Sequence, residues 1–129
     1  MQPYNVQFKQ LKAHTPAPIT FILTATKDVP KKLAHAKKKT IGIRVPSNPI
    51  AQALLEAMDG PILTSSLILP NRDDILDDPF EIEDLLGNQI DGLINAGIKT
   101  TKLTTIIDMT SSRPELVRQG AGDVESLLL

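Results

Sequence analysis

Hydrophobic and polar positions divide this chain into short elements with helical or strand periods. Val6, Phe8 and Leu11 anchor a short helix over residues 5–13, which Pro16 and Pro18 end. Ile19–Thr24 (ITFILT) is an apolar run of strand length, as a strand covered on both faces would have. Residues 30–36 predict a short helix leading into Lys37, Lys38 and Lys39. Thr40, Ile41, Ile43 and Val45 are β-branched and predict a strand. Pro46 stops it, because proline has no N–H to give a ladder. Asn48 is a good N-cap, and Pro49 suits a first helical position, where its missing N–H costs nothing. Ile50, Ala53, Leu54 and Ala57 then recur at helical spacing.

A strand is expected over residues 62–65 and an acidic loop over residues 71–78. Pro79–Leu86 predicts a helix with Asp78 as N-cap, Pro79 first, acids in its opening turn, and Gly87 or Asn88 to end it. Residues 90–95 predict a short strand, 96–102 a loop and 103–108 the most β-branched strand. Residues 116–118 give a last short strand or extended piece, and Gly120 and Gly122 are expected to loosen the tail. Strands and helices in mixed order indicate an α/β or α+β sheet domain, with residues 1–129 as one domain.

Composition narrows this picture. The chain has no Trp, one Tyr and three Phe, so its core is expected to be aliphatic and a base-stacking platform is disfavoured. The absence of Cys excludes disulfides, Cys–Zn sites and a Cys nucleophile. No apolar run approaches membrane-spanning length, and the N-terminus lacks a signal-peptide core, so a cytoplasmic protein is expected. Net charge is −1 but uneven: residues 1–50 hold nine Lys/Arg and one acid (+8), residues 51–129 five Lys/Arg and fourteen acids (−9). Such asymmetry suggests a basic face for phosphates or RNA, with Lys31, Lys32, Lys37, Lys38 and Lys39 as phosphate contacts. The alternatives are that the halves pair with each other or that both are merely solvated.

Arg44 stands alone at the carboxyl end of its strand, just before a helix N-terminus, where α/β proteins bind phosphates and carboxylates. A surface salt bridge explains it equally well. Thr40 lies four residues earlier, on the same face, and β-propensity alone accounts for it. Thr64, Ser65 and Ser66 follow a strand and can bind a carboxylate, phosphate or ribose, although such runs mostly just turn a chain. His14 and His35 have no partner at metal-ligand spacing, and the Asp73, Asp74, Asp77 and Asp78 loop lacks the spacing and glycine of a calcium loop. No metal site and no tightly bound cofactor is expected.

The stretch IGIRVPSNPIAQALLEA followed by GPILTSSLILP resembles the YrdC/YciO family, closest to its YciO branch. HTPAPITFILTATKDVP, LTTIIDMT and ELVRQGAGDV resemble three further family segments in the same order, so the likeness runs from about Tyr4 to Ser126. The resemblance implies a twisted, open, mixed sheet with helices around a concave face, of YrdC/RibB type. It also implies a partial domain, because the family's N-terminal part with its lysine–x–arginine motif has no counterpart here. Family members make threonylcarbamoyl-adenylate from threonine, bicarbonate and ATP for tRNA modification, and some are described mainly as RNA-binding proteins.

Carried over residue by residue, the resemblance places Thr40 and Arg44 against ATP and threonine, Ser66 and Thr104 near the substrate, and Arg118 near ATP. Arg118 also reads as an edge-strand charge that discourages aggregation. Ile68 stands where the family's serine–threonine motif carries an asparagine, which removes a hydrogen bond to nucleotide. Without the lysine–x–arginine motif, binding of RNA (tRNA or double-stranded RNA) or nucleotide is expected over catalysis. The alternatives are the synthase itself, with ATP and threonine as substrates, or an inactive remnant. Strands 19–24 and 103–108 read as interior strands with almost no charge to guard an edge, so a homo-oligomer is expected.

Overall fold

The computed structural model describes residues 3–98 and 101–128. The chain folds as two compact units, one of residues 1–63 with 103–129 and one of residues 64–102. Lys99 and Thr100 of the expected 96–102 loop lie outside the described residues.

The larger unit is built on a four-stranded mixed sheet ordered β2-β1-β3-β4. Its strands are β1 (Ile19–Thr24), β2 (Thr40–Ile43), β3 (Thr105–Asp108) and β4 (Glu115–Arg118). β1 runs antiparallel to β2 and parallel to β3, and β3 runs antiparallel to β4 with a bulge between Ile106 and Ile107. Helices α1 (Pro3–Ala13) and α2 (Pro49–Met58) accompany this sheet. This is the α/β architecture expected from the sequence. β1 and β3 are the interior strands, each paired on both sides.

The caps behave as their chemistry dictates. The Asn48 side chain accepts from the N–H groups of Ile50 and Ala51, with Pro49 opening α2. Asp59 ends that helix in left-handed backbone, at φ 53°.

Ile19, Phe21, Ile107, Met109, Val124 and Leu127 form the core, with Leu11 of α1, Ala17 and Leu23 packed on it. The expectation of an aliphatic core is corrected here, since Phe21 is fully buried at its centre. One such buried side chain contributes about 1.5–3 kcal/mol. The reading of β1 as buried on both faces is also corrected. Ile19 and Phe21 are buried, while Thr20 and Ile22 are half-exposed and Thr24 is exposed, so one face stays open.

The tail is anchored rather than loosened. A Cβ on Gly122 would stand 2.5 Å from Ile19 Cγ1, and one on Gly120 would stand 2.3 Å from the Leu103 carbonyl oxygen. Both glycines let the chain pass close enough for Val124 and Leu127 to reach the core.

The smaller unit carries α3 (Pro79–Leu86), capped by Asp78, whose side chain accepts from the Phe80 N–H. Buried Leu76 and Pro79 lie at its entry. The strands expected over residues 62–65 and 90–95 do not form; both stretches belong to no sheet. A strand exists only with a ladder partner, and β-branched composition cannot supply one. The helix expected over residues 30–36 is a single 3₁₀ turn, Lys31–Leu33. The strand expected to reach Val45 ends at Ile43.

Candidate functional site

The open face of the sheet gathers the polar residues. β1–β2 pairing sets Ile22 opposite Gly42 and Thr24 opposite Thr40, so these side-chain positions share a face with Thr20. Arg44 follows directly on Ile43, the last paired residue of β2. Beyond Ile43 the register changes, because the Ala17 N–H donates to the Val45 carbonyl at 3.0 Å, two positions off the β1–β2 ladder. Across the sheet, Thr20 pairs with Ile106 and Ile22 with Asp108, which brings Thr104 to the same face two residues earlier. Arg118 enters from β4, opposite Ile106.

The contacts within this face are specific. Thr20 Oγ1 and Thr104 Oγ1 lie 2.7 Å apart in a hydroxyl–hydroxyl hydrogen bond. Arg118 donates from Nε and Nη2 to the Thr104 carbonyl at 3.0 and 2.7 Å, and from Nη2 to Thr104 Oγ1 at 3.2 Å. A fork on one residue holds it in a single orientation. Gly42 lies beside this group, since a Cβ there would meet Thr20 Cγ2 at 3.3 Å.

Arg44 is exposed and makes no ion pair among the described residues, where Arg72–Glu81 at 3.0 Å is the one such pair. The salt-bridge alternative for Arg44 is thus not realised there, and no salt bridge joins the basic and acidic halves among the described residues. A cleft of about 160 Å³ opens beside Arg44, lined by Leu33, Ile41, Ile43, Leu55 and Ile62 among others. Farther along the face, the Thr110 hydroxyl and N–H both donate to Asp108 Oδ1, at 2.6 and 2.8 Å. These bonds, with a smaller contribution from the Lys38 charge, hold the Asp108 carboxyl below its ordinary value.

Thr40, Thr104 and Arg118 of the sequence-predicted set are therefore brought to one face, with Arg44 just past the end of β2. Ser66 belongs to the other unit, where it is exposed and its carbonyl accepts from Ser65 Oγ. Thr20 was missed. Its signal was its place between Ile19 and Phe21, the one hydroxyl inside an apolar run.

The predicted basic residues sit in the connection between β1 and β2. Lys31, Lys32, Lys37, Lys38 and Lys39 are all exposed. His35 organises the turn: its Nδ1 accepts from the N–H groups of Lys37 and Lys38 at 3.2 and 3.1 Å, and its carbonyl accepts from Lys39 N–H at 2.9 Å. Lys39 closes the turn in left-handed backbone, φ 51°. Among the described residues, no group of three or more His, Cys, Asp or Glu could hold a metal ion. No helix of the described residues is long and apolar enough to cross a membrane.

A mixed sheet with one buried apolar face and one hydroxyl- and guanidinium-bearing face defines an α/β protein built to present polar groups from strands. The chain belongs to the Sua5/YciO/YrdC family, described as "Telomere recombination", whose pattern it matches over residues 2–120. It is 52% identical over 124 residues to the uncharacterized protein YciO of Escherichia coli K12, covering 96% of this chain and 60% of that one. The crystal structure of E. coli YciO superposes with a TM-score of 0.88 over the same shares. A threonylcarbamoyl-AMP synthase of Pyrococcus abyssi is 27% identical over 90% of this chain and 34% of its own length. The P. abyssi Sua5 structure complexed with L-threonine shares the fold, with a TM-score of 0.76 at 24% identity, over 93% of this chain and 35% of that one. The chain thus spans about 60% of the length of E. coli YciO.

Proposed function

We propose that this chain binds small carboxylate- or phosphate-bearing ligands on the open sheet face and RNA phosphates on the lysine-rich connection, acting in the cytoplasm in the chemistry of tRNA threonylcarbamoyladenosine modification. The observation that carries this reading is the convergence of Thr40, Thr20, Thr104 and Arg118 on one face, with exposed Arg44 just past the end of β2. Arg44 is a charged donor without an acid partner among the described residues, and such a group is suited to an anion. Threonine and ATP are the ligands this family chemistry suggests. Isothermal titration of L-threonine and ATP against the chain and its Arg44→Ala variant tests the small-ligand part. Loss of a charge-assisted hydrogen bond should weaken binding by about 1.5–3 kcal/mol while the circular dichroism spectrum stays unchanged. Equal binding by both proteins would refute it.

RNA binding rests on the six lysines and one acid of residues 25–39. It should weaken steeply with salt and vary little with sequence, since few aromatics can stack bases. Titration of tRNA and double-stranded RNA at rising salt tests this, and salt-insensitive or absent binding removes it. A second reading, catalysis by the synthase reaction, is favoured by the relationship to the P. abyssi threonylcarbamoyl-AMP synthase. Pyrophosphate release from ATP with threonine and bicarbonate decides it. Such a reaction depends on cationic groups for charge neutralisation, and Arg44 is an exposed one at the end of β2.

A further inference from the structure

We infer that Arg118 is a positioning residue that touches no ligand, and that it makes Thr20 the terminal hydrogen-bond donor of the open face, aimed at an anionic oxygen. The inference rests on the small-ligand reading above and specifies its chemistry.

The argument is one of proton counting. A threonine hydroxyl has one proton and two acceptor lone pairs. The Thr20 and Thr104 hydroxyls together hold two protons, and the 2.7 Å bond between them consumes one. Arg118 has only donors, and its Nη2 occupies a lone pair of Thr104 Oγ1 at 3.2 Å. A hydroxyl beside a cation turns its oxygen toward the charge and its proton away. The Thr104 proton therefore points away from Arg118, into the lone pair of Thr20 Oγ1. The Thr20 proton is then the one left over, directed onward along the chain Arg118, Thr104, Thr20.

The guanidinium is at the root of this chain rather than at its tip. Nε and Nη2 are both committed to the Thr104 carbonyl, at 3.0 and 2.7 Å, so the fork formed by these two nitrogens is turned inside the protein. Arg44 follows directly on β2, the strand next to β1, and is exposed. An acceptor lying over Thr20 thus meets the leftover hydroxyl proton, with the exposed Arg44 just past the end of the adjacent strand. A hydroxyl proton directed outward at that spot favours a carboxylate, carbamate or phosphate oxygen over an ammonium group. Gly42, between Arg44 and Thr40, adds no side chain over the spot.

A double-mutant cycle separates positioning from direct contact. Binding of L-threonine and of L-threoninol, which lacks the carboxylate, is measured by calorimetry on the full chain. The chain, Thr20→Val, Arg118→Gln and the double variant are compared, with circular dichroism to establish folding. The chain is expected to prefer L-threonine. Each single variant should lose roughly tenfold or more of that preference, the scale of one charge-assisted hydrogen bond. The double variant should lose no more than either single one, because Arg118 acts through Thr20. Additive losses would mean that Arg118 contacts ligand and would overturn the relay, as would an Arg118→Gln variant with its preference intact. If Arg118→Gln fails to fold, Thr104→Val paired with Thr20→Val completes the same cycle at the middle of the relay. A chain that binds neither compound would overturn the small-ligand reading itself, an outcome distinct from a failed cycle.

Discussion

The Thr105 hydroxyl donates to the Gly122 carbonyl at 2.7 Å and accepts from the Gly120 N–H at 2.9 Å, tying the tail to the fully buried first residue of β3. Thr105→Val keeps the shape and removes both bonds. The Gly122 carbonyl retains Gln119 Nε2 at 3.1 Å, so the greater loss falls on the Gly120 N–H. Leaving this half-buried donor unpaired costs about 1 kcal/mol, the low end of the range for a buried one. Urea unfolding should show that loss as a lower midpoint at unchanged slope, with Thr105→Ser retaining most of the stability. An unshifted midpoint for Thr105→Val would mean that the tail is held by packing alone.

The close passage of Gly122 makes a second expectation. An added methyl there meets Ile19 Cγ1 at 2.5 Å and the Pro18 carbonyl at 2.8 Å. Gly122→Ala should destabilise by about 1–3 kcal/mol through overpacking. Gly92→Ala, where nothing lies within 4 Å, should change stability by no more than about 0.5 kcal/mol. Thermal melts of the pair check this, and equal melting temperatures would contradict it.

What the sequence revealed and what it concealed follow from the range of the interactions. Asn48 before Pro49 and Asp78 before Pro79 announce helix starts because a cap is satisfied within three residues. Ile19–Thr24 is legible as a strand from composition, but not as one-sided. Which face is buried depends on Ile107, Met109 and Val124, more than eighty residues away in sequence. Residues 62–65 look as β-branched as true strands, yet strand formation needs a partner that local pattern does not contain. Arg44 stands out because a charge between β-branched residues is conspicuous. Thr20 does not, because a threonine in a strand is ordinary until Thr104 and Arg118 are seen beside it. Gly120 and Gly122 read as loosening signals for the same reason: a glycine looks alike whether it frees a chain or lets two backbones touch.

The acid limb of stability should respond to Thr110. Its hydroxyl, then its N–H, hold the Asp108 carboxyl below the ordinary value of 3.8. A carboxyl lowered in the folded state stabilises the fold above that ordinary value, and the contribution disappears as pH falls through the lowered one. Thr110→Val removes the hydroxyl bond and keeps the N–H. The Asp108 carboxyl carbon should then titrate at higher pH by NMR. Lys38→Ala, which removes a smaller contribution, should move it less. Identical titration curves for Thr110→Val and the unsubstituted chain would show that the hydroxyl bond does not survive in solution.

Self-association is the last expectation, and the sheet order changes where it should occur. β1 and β3 are each paired on both sides, so an exchanged interior strand is not needed to satisfy them. β2 and β4 are the edges, and β4 leaves Leu116 43% and Val117 56% exposed. An edge of this kind can extend by pairing with an identical strand around a two-fold axis. Arg118 does not guard it well, because its guanidinium is turned inward to the Thr104 carbonyl. We propose a homodimer through β4, with sedimentation showing a concentration-dependent shift toward twice the monomer mass. Val117→Lys places a charge on the edge and should abolish that shift without lowering thermal stability. A chain that stays monomeric at high concentration would mean that the β4 edge is closed to a second copy. An unaffected dimer in Val117→Lys would move the interface away from β4.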